Sequence, residues 1–277
     1  MTRPELSLDS LTLTDVSPVA LIDAAQHAGF DCVSLWLQPP PVFPAALVCA
    51  ANERECARAL ADADLRVTVL EVFDLASPAA VESYRDAIER GARLGAATAL
   101  AVNYSNPDRG ETADLLARMA EVAGECGLAV NLEPIAGGRT ATLEQGAAMI
   151  AASGADVGLT FDAWHLMGTG GSVVDLAAAD PGLIRYVQLC DAPSPFSFRD
   201  CMAGLVSERA YPGDGGFPLA EMLRLLPDAV PYGIECPSVR RAREGGSPRE
   251  QACEALAAMH RTLALREASG ALAGGGA

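Results

Sequence analysis

The chain has 277 residues, half of them hydrophobic, and carries 36 acidic against 20 basic side chains, a formal net charge of −16. Such acidity argues against nucleic acids and anionic membranes as partners, because both are recognised through clustered Lys and Arg. The length suits one large α/β unit or two small domains, with apolar residues enough for a substantial core.

In chain order, apolar runs of strand type alternate with Ala/Leu-rich stretches of helical period. Strands are expected at 5–8, 32–37, 67–73, 98–102, 129–133, 157–162, 186–191 and 232–235. Ser17-Pro18 opens the first helix and Gly29 closes it, and Ser77-Pro78 and Gly95 do the same further on, as expected for Pro at the first helical position and Gly past the end. Thr142 with Gln145, and Ser247-Pro248 with Glu250, fit the capping box. The inner strands begin roughly 30 residues apart, the repeat of βα units with right-handed crossovers. Eight such units predict a closed (β/α)8 TIM barrel over residues 1–268, one domain, with residues 269–277 a disordered tail. An open doubly wound sheet is the rival, and it lacks the expected G-x-G-x-x-G after the first strand. Long connections are expected at 36–44 and 192–231, on the rim where substrate walls are built.

The eight cysteines form neither a CxxC pair nor zinc-finger spacing, which fits a reduced, cytoplasmic protein. No apolar run approaches the length of a membrane span, and the N-terminus has no signal-peptide core.

Four strand ends carry the chemistry. They read AVNLEP with Glu133, VGLTFDAWH with Asp162 and His165, YVQLCDAP with Gln188 and Asp191, and YGIECP with Glu235. Strand C-termini of a barrel face one mouth, so these groups are expected to converge. Glu133, Asp162, Gln188 and Glu235 offer only oxygen, which suits one hard divalent cation, Mn²⁺, Mg²⁺ or Co²⁺, better than Zn²⁺, although Zn²⁺ also fits. Any one of them alone reads equally well as a solvated rim residue. Asp191 is either a neighbour that steadies a ligand or a turn residue.

This pattern resembles the xylose-isomerase-like TIM barrels, the sugar isomerase/epimerase superfamily: a Glu ending strand five, Asp-x-x-His on strand six, His or Gln on strand seven, Glu on strand eight. Gln188 in place of the commoner His is similar to hydroxypyruvate-isomerase-like and 3-dehydroshikimate-dehydratase-like members. The run SERAYPGDGGF looks especially like the dehydratase group and implies that Arg209 and residues 212–215 lie near the substrate. The resemblance implies that Glu133 and Glu235 move protons while holding the metal, and that His165 is a further base or a donor to the substrate.

Arg209 and Arg139 are candidates to bind a substrate carboxylate or hydroxyls, with surface arginine the plain alternative. Trp36, Phe73, Tyr104 and Trp164 form an apolar wall or simply core. His27 and His260 read as structural, and three histidines are too few for the trinuclear zinc site of the related apurinic endonucleases. The GTGG run at 168–171 lacks the P-loop Lys and reads as a turn.

The expected activity is a metal-dependent isomerase or epimerase that shifts a proton next to a carbonyl, through an enediolate, on a small polyol, keto-sugar or keto-acid. A lyase of the 3-dehydroshikimate dehydratase kind is the alternative, and a non-catalytic metal-binding barrel the second. The resemblance also allows a homo-oligomer.

Overall fold

The computed structural model describes residues 3–40 and 44–273. Its strands are β1 (Leu6–Leu8), β2 (Cys32–Trp36), β3 (Arg66–Asp74), β4 (Thr98–Val102), β5 (Ala129–Leu132), β6 (Val157–Asp162), β7 (Ile184–Leu189) and β8 (Tyr232–Ile234). Each pairs in parallel with the next, and β8 pairs with β1 to close the barrel. The expected (β/α)8 architecture is the observed one.

Side chains alternate between the two faces of a strand, so each strand contributes to two cores. Leu6 and Leu8, Val130 and Leu132, Leu159 and Phe161, Val187 and Leu189, and Tyr232 and Ile234 join the large core outside the barrel. That layer packs against helices such as Pro18–Ala28 and Pro248–Ala273, which contact one another extensively. The residues between them point inwards. Leu11, Trp36, Val69, Val72, Leu100, Val102, Ile135 and Tyr186 form a small apolar cluster there. The other inward positions are polar or glycine, which leaves the barrel axis to hydrogen-bonding groups.

Gly233 shows how tight this interior is. A Cβ there would fall 2.2 Å from Asp9 Oδ2 and 2.3 Å from the Tyr186 hydroxyl, so the missing side chain makes room for both.

Helix ends follow local chemistry. The Ser17 hydroxyl accepts from the Ala20 amide, and Gly29 closes the same helix at φ 95°. Thr142 accepts from the Gln145 amide, while Gln145 accepts from Ala141 rather than from the cap residue. Three stretches differ from expectation. Strand β7 starts at Ile184 and ends at Leu189, because the chain turns at Asp191 to form an antiparallel bridge with Ala210. The connection 192–231 contains helices Phe198–Gly204 and Leu219–Leu225, the first opened by a Ser197–Asp200 capping box. The last helix runs on to Ala273, into the stretch expected to lack structure, and residues 274–277 lie outside the described residues. Residues 41–43 of the second long connection lie outside them too. No helix among the described residues is long and apolar enough to cross a membrane.

Candidate active site

Register brings the polar strand ends side by side. Asp162 pairs with Gln188 across β6 and β7, and Gln188 in turn with Gly233, two residues before Glu235. All four residues of the expected ligand set are buried: Glu133 is 5% exposed, Asp162 3%, Gln188 0% and Glu235 6%.

Asp162 is the most heavily bonded. Its Oδ1 accepts from the Trp164 amide at 2.8 Å and so caps the helix Ala163–Gly168. Its Oδ2 lies 3.0 Å from Nη1 of Arg209, which also lies 2.9 Å from Oε2 of Glu235. Arg209 is itself 2% exposed. Its other nitrogens donate to the Leu205 carbonyl, its guanidinium lies 4.9 Å from the centroid of Trp164, and its own carbonyl accepts from Arg241. The arginine therefore stands between two of the expected ligands as a built-in cation.

His165 Nδ1 accepts a hydrogen bond from the Ala136 amide at 3.1 Å. A neutral imidazole with an accepting Nδ1 carries its proton on Nε2. That nitrogen lies 3.7 Å from both Glu133 Oε1 and Asp162 Oδ2. Burial pushes the ring down to about 4, so it is neutral near pH 7. Its Nε2–H is a hydrogen-bond donor at the mouth, and in this tautomer it offers no lone pair to a metal or to a substrate proton.

The structure adds two acids. Asp9, just past β1, accepts from Ser7 and from Tyr186 at Oδ1, and from Gln188 at Oδ2. Glu71, on β3, is 1% exposed, and neither of its oxygens has a hydrogen-bond partner. Asp9, Glu71 and Glu235 approach within 4.8 Å of one another, as do Glu133, Asp162 and His165. Burial raises the carboxyl groups of Asp9, to about 7, and Glu235, to about 8, and also lifts Glu71 and Glu133 well above the usual range, with Glu235 repelling both. A site that holds so many acids needs protons or a cation.

The donor set fits a divalent cation. Gln188 gives its amide nitrogen to Asp9 and Glu235, and its Oε1 is buried without a partner. An orphaned buried carbonyl among carboxylates is an oxygen ligand in waiting.

A cavity of about 40 Å³ opens beside these groups. It is lined by Glu71, Glu133, His165, Arg209 and Glu235, with an apolar wall that includes Trp36 and Tyr104. Trp164 packs beneath Arg209 and against Phe196 and Phe217, and Phe73 packs against Tyr84 in the outer core. Arg139 is exposed and does not line the cavity. Residues 212–215 do not line it either. Asp191 ties that turn down, since its carboxylate accepts from the amides of Ala192, Gly213 and Phe217. His27 and His260 are exposed on helices.

Sequence reasoning missed Asp9 and Glu71. Asp9 had a signal: Ser-Leu-Asp at 7–9 has the same small-or-polar, apolar, acid spacing as Asn-Leu-Glu at 131–133 and Gly-Ile-Glu at 233–235. Glu71 is a single acid inside an apolar strand and shows no such pattern.

Among known proteins, the 3-dehydroshikimate dehydratase of Pseudomonas aeruginosa is 29% identical over 230 residues, 78% of this chain and 35% of that protein. The chain thus spans about a third of this curated relative. It likewise covers 42% of a xylose isomerase-like TIM barrel/4-hydroxyphenylpyruvate dioxygenase fusion protein, with 93% of its own length aligned, 20% identity and a TM-score of 0.77. IolI protein, solved with a zinc atom, aligns with 94% of this chain and 98% of its own at 16% identity and a TM-score of 0.77. The figures for L-ribulose 3-epimerase are 100%, 99%, 20% and 0.73. These structural likenesses establish the fold. The family model for the xylose isomerase-like TIM barrel matches residues 22–263, and the chain belongs to that family.

Proposed function

We propose that the chain is a divalent-metal-dependent isomerase or epimerase that moves a proton beside a carbonyl on a small, uncharged polyhydroxylated substrate such as a keto-sugar. The convergence of Glu133, Asp162, Gln188 and Glu235 at one barrel mouth, with His165 and Arg209 beside them, carries this reading. Those four residues would hold the ion. A divalent ion supplies positive charge that polarises a carbonyl and eases loss of the neighbouring proton.

The protein's own groups do the rest. Glu133 and Glu235 extend from strands three places apart in an eight-membered ring, so they reach a substrate from different sides, as removal and return of a proton on opposite faces requires. Burial raises both carboxyl groups, Glu235 to about 8, towards the range where a group can both take and give a proton near neutrality; a bound cation would draw them back down. His165 donates from Nε2 to a substrate oxygen. Trp36 and Tyr104 exclude water from one wall. Among the described residues Arg209 is the one permanent cation on a wall that carries three glutamates, and its Nη1 is already shared between carboxylates, which favours an uncharged substrate over a carboxylic acid. All 20 basic residues of the chain are arginines, so an imine route through a lysine has no amine here.

The likeness to 3-dehydroshikimate dehydratase supports a second reading, a metal-dependent lyase. In that case the first proton loss is followed by expulsion of a β-hydroxyl, and the neutral Nε2–H of His165 suits a hydrogen-bond donor to the leaving oxygen rather than the base, with a carboxyl group supplying the proton that leaves with it as water. Proton NMR in deuterated buffer with Mn²⁺ separates the two. Deuterium beside the carbonyl and an isomeric product from ketopentoses or ketohexoses, lost in Glu133→Gln and Glu235→Gln, are expected. Water loss with a new conjugated ultraviolet band from 3-dehydroshikimate, and no exchange on ketoses, would replace the first reading by the second.

A further inference from the structure

Asp9, Glu71 and Glu235 come from β1, β3 and the end of β8, and only Glu235 belongs to the ligand set proposed above. Each places an oxygen within 4.8 Å of the other two. Two further observations show that the cluster lacks something. Glu71 is 1% exposed with both oxygens unpartnered, and Gln188, anchored by its amide nitrogen to Asp9 and Glu235, holds a buried, unpartnered Oε1.

Among the described residues, Arg209 is a positive charge that reaches Glu71 only at a distance. The ion pairs of the described residues give Asp9 and Glu71 no basic partner. Arg209 lies on Oε2 of Glu235, the oxygen turned towards Asp162, whereas Oε1 faces Gln188. Buried carboxylates are retained when a proton, a donor or a cation answers them. Here the donors run short: Ser7, Tyr186 and Gln188 all serve Asp9, and only the neighbouring Ser34 hydroxyl acts on Glu71.

We propose that Asp9, Glu71 and Glu235 form a second divalent-cation site that shares Glu235 with the first. The all-oxygen set selects a hard ion such as Mn²⁺ or Mg²⁺. Glu71 and Glu235 both line the cavity, so the ion has a way in. The site depends on the proposed function only through the shared glutamate, and it binds whether or not the first site performs the chemistry assigned to it.

The test titrates Mn²⁺ into the metal-stripped full chain and reads stoichiometry by calorimetry and elemental analysis. Wild type should bind two ions, Glu71→Gln one and Glu133→Gln one. Circular dichroism checks each fold, and Asp9→Asn replaces Glu71→Gln if the latter does not fold. One ion in wild type, lost in Glu133→Gln and kept in Glu71→Gln, overturns this inference and leaves the proposed function standing. One ion lost in Glu71→Gln and kept in Glu133→Gln supports this site and removes the metal assignment of the proposed function.

Discussion

The two sides of the barrel mouth answer buried negative charge in opposite ways. On the β6 side, Asp162 is met by the Trp164 amide and by Arg209, and the arginine is held by Leu205, Trp164 and Arg241. On the β3 side, Glu71 is equally buried and has no basic partner, only the neighbouring Ser34 hydroxyl. The first side is complete within the protein. The second is not, and the contrast sets a carboxylate that the protein itself neutralises against one that it leaves without a basic partner.

The largest test breaks the complete side. Arg209→Met leaves Asp162 and Glu235 buried without their cation, and metal-free protein should lose about 3–5 kcal/mol of unfolding free energy in urea. Mn²⁺ should restore much of it. A loss below about 1 kcal/mol would mean that the pair does not support the fold.

Next in size is the pH dependence of the metal-free chain. Burial holds Glu235 at about 8 and Asp9 at about 7, above their values in an unfolded chain. The folded state therefore keeps protons that the unfolded state has released, and stability should fall as pH rises from about 5 to 8, offset in part by His165, which the fold holds at about 4 and which works in the opposite sense. Saturating Mn²⁺ should flatten that slope, which thermal melts at several pH values would reveal. A slope of opposite sign would refute the charge account.

Gly233→Ala presses on the floor shared by the two sides. Its methyl group would collide with Asp9 and Tyr186, and overpacking of this kind costs about 2 kcal/mol, measurable by urea unfolding. A neutral effect would show that the Asp9 ladder yields easily. The smallest effect sharpens the contrast: Glu71→Gln removes an unanswered charge at nearly constant volume, and should leave metal-free stability unchanged or raise it by up to about 1 kcal/mol. A loss of several kcal/mol would instead show that Glu71 has structural partners.

Much of the fold was legible because strand and helix punctuation is local. Short apolar runs bounded by turn signals located every strand to within about two residues, and Ser-Pro and Gly marked helix ends. The convergence of residues 133, 162, 188 and 235 on one mouth was legible for a similar reason, since 133, 162 and 235 end apolar runs, 188 lies near the end of another, and parallel register aligns such ends. What escaped depends on distant contacts. Glu71 sits where β3 shifts register against β4, amid an otherwise ordinary strand. The burial of Arg209 between two acids depends on how the connection after β7 folds back, which the bridge from Asp191 to Ala210 decides. Arg139 has the same residue type and a glycine-rich loop of its own, yet stays at the surface; nothing in the local sequence separates the two arginines.

The position of Arg209 also sets an order of events in time. Because its guanidinium already bridges Asp162 and Glu235, the proposed uptake of a divalent ion by those carboxylates would be an exchange of one cation for another rather than the filling of a bare anionic hole. The far edge of the same guanidinium is held by the Leu205 carbonyl, to which Nε and Nη2 donate, so the exchange would also have to loosen those bonds. Entry should then be limited by the swing of the Arg209 side chain, so stopped-flow uptake of Mn²⁺ is expected to be slower in wild type than in Arg209→Met.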